Sequence, residues 1–167
     1  MAKWSFSNPV WTPTAVADTV AMTANGACFL QGGSATQFIK TYEVYLGGQG
    51  GASTPTFMVL ARDSTIGVTA ITLGTNGKNA PLSPFTAALA AAQVAGFSAT
   101  TMPQRAATLH LLQLSFNAFG GIVRWVAAPG EEITQYGTAT SVGEISLSAF
   151  TGGTPGALAS HIIYEPD

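Results

Sequence analysis

Charged side chains are scarce in this sequence. Of its 167 residues, only 6 are Lys or Arg and 8 are Asp or Glu, so that 8% of the chain is charged. An ordinary soluble domain carries about 25% charged residues, which keep its surface hydrated. The mean hydropathy is also positive, at +0.31. The surface must then expose mainly Ala, Thr, Ser, Gly and apolar side chains, and this predicts that partners cover much of it.

Positive charge is too sparse and too scattered for a nucleic-acid interface. The net charge is −2, whereas proteins that bind the phosphate backbone concentrate Lys and Arg on one face. The cations stand far apart along the chain, at Lys3, Lys40, Arg62, Lys78, Arg105 and Arg124. We therefore expect no nucleic-acid partner.

Cysteine is almost absent, since Cys28 is the only one. A single thiol excludes an internal disulfide, a zinc cluster built on cysteines and a Cys-x-x-Cys redox pair. The neighbours of Cys28 are Ala27, Phe29 and Leu30. This apolar setting predicts a small buried core residue.

A long strongly apolar run is also lacking. Residues 79–104 contain no charge, but Pro81, Pro84, Gly96 and Pro103 interrupt them and their apolarity comes mainly from Ala. A spanning helix needs about 20 strongly apolar residues. We therefore expect no membrane segment. The first residues contain neither a continuous apolar run nor a small-residue cleavage site, so we also expect no secretory signal.

What the sequence does contain is a series of short strands separated by Gly, Pro, Asn and Ser. The pattern predicts an all-β protein, a two-sheet antiparallel sandwich of the jelly-roll kind. The expected strands are 38–46, 56–62, 66–73, 108–118, 122–127, 133–136, 144–150 and 161–165, with weaker candidates at 16–23 and 27–31.

Three of these segments carry more detailed expectations. In 38–46 the even-numbered residues, which include Val44 and Leu46, should share one face, and the odd-numbered residues the other. Segments 108–118 and 122–127, joined by Gly120-Gly121, read as a β-hairpin. Residues 84–96 are the one place for a short helix, with an irregular loop as the alternative.

The sequence contains few residues that could form a catalytic site. A metal site would have to combine His110 and His161 with Asp63 or Glu144, and no spacing supports that grouping. A small cupin-like enzyme using His110, His161 and Glu144 is therefore only a rival hypothesis. We expect no enzyme and no cofactor.

The first residues stand out because Trp4, Phe6 and Trp11 precede the first expected strand. We interpret residues 1–14 as an aromatic arm and 15–167 as one sandwich domain. The arm could fold back across its own sandwich or dock on a neighbouring subunit or shell, since aromatic side chains are common interface anchors.

Three stretches of the second half resemble small structural proteins of tailed bacteriophages and prophages. They are SFNAFGGIVRWVAAPGEE (115–132), SLSAFTGGTPG (146–156) and HIIYEP (161–166). The resemblance covers about the C-terminal 60 residues. It implies a virion component, and the size and composition are similar to those of jelly-roll decoration (cement) proteins, which cap capsids as trimers and have no catalytic residues.

These observations lead to one hypothesis and one alternative. The chain is expected to be a homotrimer made in the bacterial host cytoplasm that binds the major capsid protein on the outer capsid surface. Phe116, Phe119 and Trp125 would hold the trimer, and the aromatic arm would grip the shell. The alternative is a receptor- or carbohydrate-binding module of a tail or fibre, with an aromatic platform drawn from Tyr42, Tyr45 and Tyr136.

Overall fold

The computed structural model describes residues 2–67, 71–84, 94–137 and 143–167. These residues form strands and no helix, as the composition predicts. The strands are β1 (Trp4–Trp11), β2 (Ala15–Val16), β3 (Ala27–Gln31), β4 (Phe38–Gly48), β5 (Pro55–Thr65), β6 (Lys78–Pro81), β7 (Val94–Gly96), β8 (Gln104–Asn117), β9 (Ile122–Val126), β10 (Ile133–Tyr136), β11 (Glu144–Phe150) and β12 (Leu158–Pro166).

The strands form two six-stranded sheets, which confirms the predicted two-sheet sandwich. Sheet A has the order β10-β4-β12-β1-β6, and β9 pairs with β4 on the same edge as β10. Sheet B has the order β7-β3-β11-β5-β8, with β2 beside the end of β11. Every pair is antiparallel except β2 with β11.

The expected helix at 84–96 falls mainly on residues outside the described ranges. Its last three residues, Val94–Gly96, are the strand β7. Within the described residues there is also no helix long and apolar enough to cross a membrane.

The core lies between the facing sides of the two sheets. Side chains two residues apart along a strand point to the same side, so alternate residues of each strand meet there. Its fully enclosed members include Leu30, Ile39, Val44, Leu46, Met58, Leu60, Ile145, Leu147, Leu158, Ile162 and Tyr164. Cys28 is buried among them, as its apolar neighbours predict.

The chain changes face within β4. Ile39 and Thr41 are buried in the first half of the strand, but Val44 and Leu46 are buried in the second. The pairing with β12 skips Tyr42, which makes this residue a β-bulge. One extra residue reverses the alternation, so the expectation that all even-numbered residues of 38–46 share a face is wrong for the first half of the strand.

The predicted hairpin between β8 and β9 is also wrong. β8 pairs with β5 in sheet B, whereas β9 pairs with β4 in sheet A. The turn between them therefore carries the chain from one sheet to the other. Gly121 N donates to Asn117 O at 2.8 Å, and a Cβ on Gly121 would lie 2.2 Å from the same oxygen, so only glycine fits this tight crossing.

The N-terminal segment is part of the sandwich and not an arm. β1 lies inside sheet A, between β12 and β6. Trp4, Phe6 and Trp11 are only 7%, 2% and 6% exposed. Alternation directs Trp4 and Phe6 into the core, and the register shift between Asn8 and Trp11 brings Trp11 to the same side. All three are therefore wrong as contacts with a capsid or neighbour.

This placement predicts a large stability cost for removing one of these rings. Replacing Phe6 with Ala leaves a cavity in the core and should lower the free energy of unfolding by about 3–5 kcal/mol. Tyr136→Ala, at an aromatic residue that is 52% exposed, should cost less than about 1 kcal/mol. Urea unfolding followed by tryptophan fluorescence measures both. Equal stabilities for the two variants would contradict the core position of β1.

Candidate interaction surface

The candidate metal ligands do not come together. His110 lies on β8 in sheet B, where its Nε2 is 3.1 Å from Asp18 Oδ1. His161 lies on β12 in sheet A, where its Nε2 is 2.8 Å from Glu43 Oε1. Within the described ranges, no three His, Cys, Asp or Glu side chains are grouped closely enough to hold a metal ion. The positions of these side chains therefore do not support the metal site that a cupin-like enzyme would need.

Asp63 and Glu144 do meet, as a buried pair of carboxyl groups in sheet B. Both Glu144 oxygens accept the N–H of Gly67, at 3.0 and 3.1 Å, and Ser146 Oγ donates to Asp63 Oδ1. Burial raises the pKa of both groups. After burial, the charge of Glu144 is the next cause that raises the pKa of Asp63, so the pair favours holding one proton.

The positive charge of Arg105 acts on this pair and opposes the rise in the pKa of Asp63. It is 1% exposed, and its Nε donates to Asp18 Oδ1 at 2.8 Å. Its other nitrogens donate to Ser148 Oγ and to the carbonyl of Val16. The guanidinium thus ties β8 to β2 and β11, and the buried polar groups of sheet B form a structural network.

The three aromatic residues expected at a trimer interface have different surroundings. Phe116 and Trp125 are half-buried and pack against the core, so they are not free to form the main contact with another subunit. Phe119 lies in the turn between β8 and β9 and is 61% exposed. Only Phe119 of the three is mostly available to a partner.

The strand β9 is apolar and yet poorly covered. Its sequence is IVRWV, and none of its five residues is buried. Ile122 is 69% exposed and Val126 is 53% exposed. In the described part of the chain β9 pairs only with β4, so its other edge is open. An open edge with apolar side chains is a preferred place for contact with another chain.

Charged and aromatic side chains cross the outer face of sheet A beside β9. Arg124 donates to both carboxylate oxygens of Glu43 at 2.8 Å, and His161 Nε2 approaches the same carboxylate. The hydrogen bond from Arg124 is the main reason why the pKa of Glu43 falls to about 2. The rings of Tyr45 and His161 stack with their centroids 5.0 Å apart.

A groove of about 680 Å³ opens on this face at the end of β9. Its apolar lining comprises Leu82, Val126, Ala127, Pro129 and Ile163, and its polar lining comprises Lys3, Tyr42, Glu43, Glu132 and His161. The apolar lining is accessible, since Leu82 is 55% exposed. The groove can therefore take up an apolar group from outside.

The tyrosines proposed as a carbohydrate platform do not form one. Lys3 Nζ lies 3.8 Å from the ring centroid of Tyr42 and covers that face, and Tyr45 is stacked on His161. Tyr136 lies on β10, where its ring is 6.2 Å from that of Phe38. Only Tyr42 lines the groove.

The sequence interpretation missed the groove and its charged neighbours. Alternation along β9 places Arg124 on the opposite side of the strand from Val123 and Trp125. This pattern was the sequence signal that a charge faces outward there. Lys3, Leu82 and Pro129 reach the groove from distant parts of the chain. No local pattern groups residues that are so far apart in sequence.

Comparisons with known proteins assign no family. No protein-family model matches the chain, and no curated protein and no solved structure matches it either. Function is therefore inferred from the residues and contacts of this chain.

The buried carboxyl pair predicts a specific dependence of stability on pH. Because the folded-state pKa of Asp63 lies above its unfolded value, the pair stabilises the fold at acidic pH and this contribution is lost as the pH rises through the folded pKa. Asn at position 63 keeps a hydrogen-bond donor and cannot ionise. As the pH rises above about 4, Asp63→Asn should therefore lose less stability than the wild type, by on the order of 1 kcal/mol.

Urea unfolding at several pH values from about 4, the pKa of an unfolded Asp carboxyl, into the alkaline range measures the difference. Glu131→Gln removes an exposed acid from a turn and serves as the control, since it should leave the slope unchanged. Parallel pH profiles for the wild type and Asp63→Asn would show that the pair does not titrate in this range.

Proposed function

We propose that this chain is a non-enzymatic virion structural protein, a decoration protein of a tailed-bacteriophage capsid. It binds the outside of the assembled icosahedral shell as a homotrimer and stabilises the shell. The observation that carries the proposal is the exposed apolar edge formed by Phe119 and β9 on a chain that is only 8% charged. A surface of this kind is hydrated poorly when the chain is alone and favourably buried when copies associate.

The mechanism requires binding alone. A protein that contacts neighbouring capsid subunits only in the assembled shell shifts the equilibrium away from disassembly by mass action. A trimer adds symmetry, because three copies placed on a three-fold axis of the shell make the same contact three times. The major capsid protein is the partner in this proposal, and no cofactor is needed.

The shell contact must come from side chains other than those first expected. Trp4, Phe6 and Trp11 are enclosed in the core, so they cannot reach a capsid without unfolding the sandwich. The contact with the shell is then made by an exposed surface of the trimer that is rich in Ala, Thr, Ser and Gly. Few charged groups on such a surface lose their hydration on binding.

A second function, a receptor- or carbohydrate-binding module of a tail or fibre, has one observation in its favour. The groove on sheet A combines an aromatic ring, Tyr42, with acids and a lysine at one accessible site. Sites for small ligands have this mixture of apolar walls and a few polar groups. Glycan-array binding by the isolated chain would support this function over the first.

Addition of the purified chain to shells that lack it tests the decoration proposal. We expect stoichiometric cosedimentation with assembled shells and a higher temperature of shell disruption, because bound protein stabilises the assembled state. Shells that already carry their full complement serve as the control and should take up no more. Density for this chain at the tail tip alone, in cryo-electron microscopy of the parent particle, would contradict the proposal.

A further inference from the structure

The turn between β8 and β9 presents Phe119 as an apolar projection on an anchored backbone. Asn117 Oδ1 accepts the N–H of Phe119 at 2.9 Å. The neighbouring Ala118 is buried, its N–H donates to Thr54 O at 2.9 Å and its carbonyl accepts Gly50 N–H at 2.7 Å. The backbone beside Phe119 is thus anchored to the sandwich while its ring is exposed. Because the backbone is already fixed, binding costs only the rotamer freedom of one aromatic side chain, which favours its use as an interface anchor.

The groove on sheet A has the dimensions and the lining to receive such a ring. A volume of about 680 Å³ lies within the range of pockets that enclose small organic groups. Leu82 and Val126 expose more than half of their surface toward solvent, and burying them against an aromatic ring removes apolar surface from water.

Phe119 cannot fill the groove of its own chain. The two sites flank β9, with Phe119 before Ile122 and the groove at Val126. A strand rises about 3.3 Å per residue, so the five residues of β9 separate the two sites by about 13 Å. Because the turn is anchored at Ala118, the ring cannot cross this distance.

The charges beside β9 are compatible with a covered interface. Arg124 and Glu43 already pair through two hydrogen bonds, so covering them leaves no single buried charge. The turn itself, residues 117–121, contains no ionisable side chain. A second copy can therefore cover the Arg124–Glu43 pair without separating its charges, and the other two charged residues of the groove, Lys3 and Glu132, attract each other.

We infer that copies of this chain associate head to tail, with Phe119 of one copy inserted into the sheet A groove of the next. Two different patches meet in such a contact, so each copy still has one free patch after pairing. A head-to-tail (heterologous) contact closes into a ring when the rotation that relates one copy to the next is a whole fraction of a full turn. A rotation of one third of a turn gives a trimer. The inference rests on the proposed trimer and specifies how that trimer is held together.

Two single variants test the two sides of the contact. Phe119→Asp places a charge on the projection, and Leu82→Asp places one in the groove. Both residues are exposed, so folding should be retained, as circular dichroism can verify. The measurement is mass by light scattering during size exclusion, over a range of concentrations.

We expect a trimer for the wild type and monomers for both variants, with dissociation constants raised at least about 30-fold. Phe119→Ala, which adds no charge, should act in the same direction with a smaller effect. Tyr136→Asp changes another exposed aromatic residue away from both sites, and as the matched control it should remain a trimer.

A mixture of the two variants distinguishes a head-to-tail contact from a symmetric one. The Leu82→Asp chain keeps its projection and the Phe119→Asp chain keeps its groove, so the mixture should form a one-to-one heterodimer that cannot close a ring. A mixture that stays monomeric, a wild type that is itself monomeric, or variants that remain trimers would each overturn the inference.

Shell binding, measured in parallel, separates this inference from the proposed function. If both variants remain trimers and still bind shells, the contact is wrong and the decoration function stands. If the variants dissociate as expected and the wild-type trimer binds no shell, the contact stands and the decoration function is wrong.

Discussion

Trp4, Phe6 and Trp11 of β1 pack between the two sheets, and the sandwich depends on this contact. The ring of Phe97 lies 5.2 Å from that of Phe6 and 5.3 Å from that of Trp11, measured between centroids. Trp11 Nε1 donates to Ser160 Oγ at 2.9 Å, so its polar atom is also satisfied inside the protein. Because β1 joins β12 to β6 in sheet A, loss of these rings would open the core and separate the strands of that sheet. The groove on its outer face includes Lys3, which immediately precedes β1, and so depends on the same strand.

The two outer faces of the sandwich differ in how far the chain itself covers them. On sheet B, β3 and nearly all of β11 are buried on both sides. Gly67 accepts from Gln31 Nε2 and donates to Glu144, so the chain covers this face with its own segments. On sheet A, by contrast, β9 has no buried residue. In the described part of the chain, the most exposed large apolar side chains lie on the β9 edge, in the turn before it and on the outer face beside it, at Ile122, Phe119, Leu82 and Val126.

Tyr42 and the turn at Gly120-Gly121 illustrate why local pattern predicted the strands but not their arrangement. Alternation along 38–46 identifies a strand, yet the bulge at Tyr42 reverses which residues face the core, and a bulge is set by pairing with β12. The turn before β9 has the composition of a hairpin, but the two strands join different sheets. Pairing partners are chosen by contacts between residues far apart in the chain, and alternation within one strand carries no information about them.

The sequence by itself determined the all-β class, the buried environment of Cys28 and the shortage of charge, because alternation and composition are properties of neighbouring residues and of totals. Only the tertiary structure decided that Trp4, Phe6 and Trp11 are core residues while Phe119 is exposed. Both sets are aromatic residues beside turn-forming ones, so their sequences look alike. They differ because β1 finds partners on both edges in sheet A, whereas the turn that holds Phe119 lies at the rim where the chain passes between the sheets. Burial is a property of that three-dimensional neighbourhood and not of the residue type.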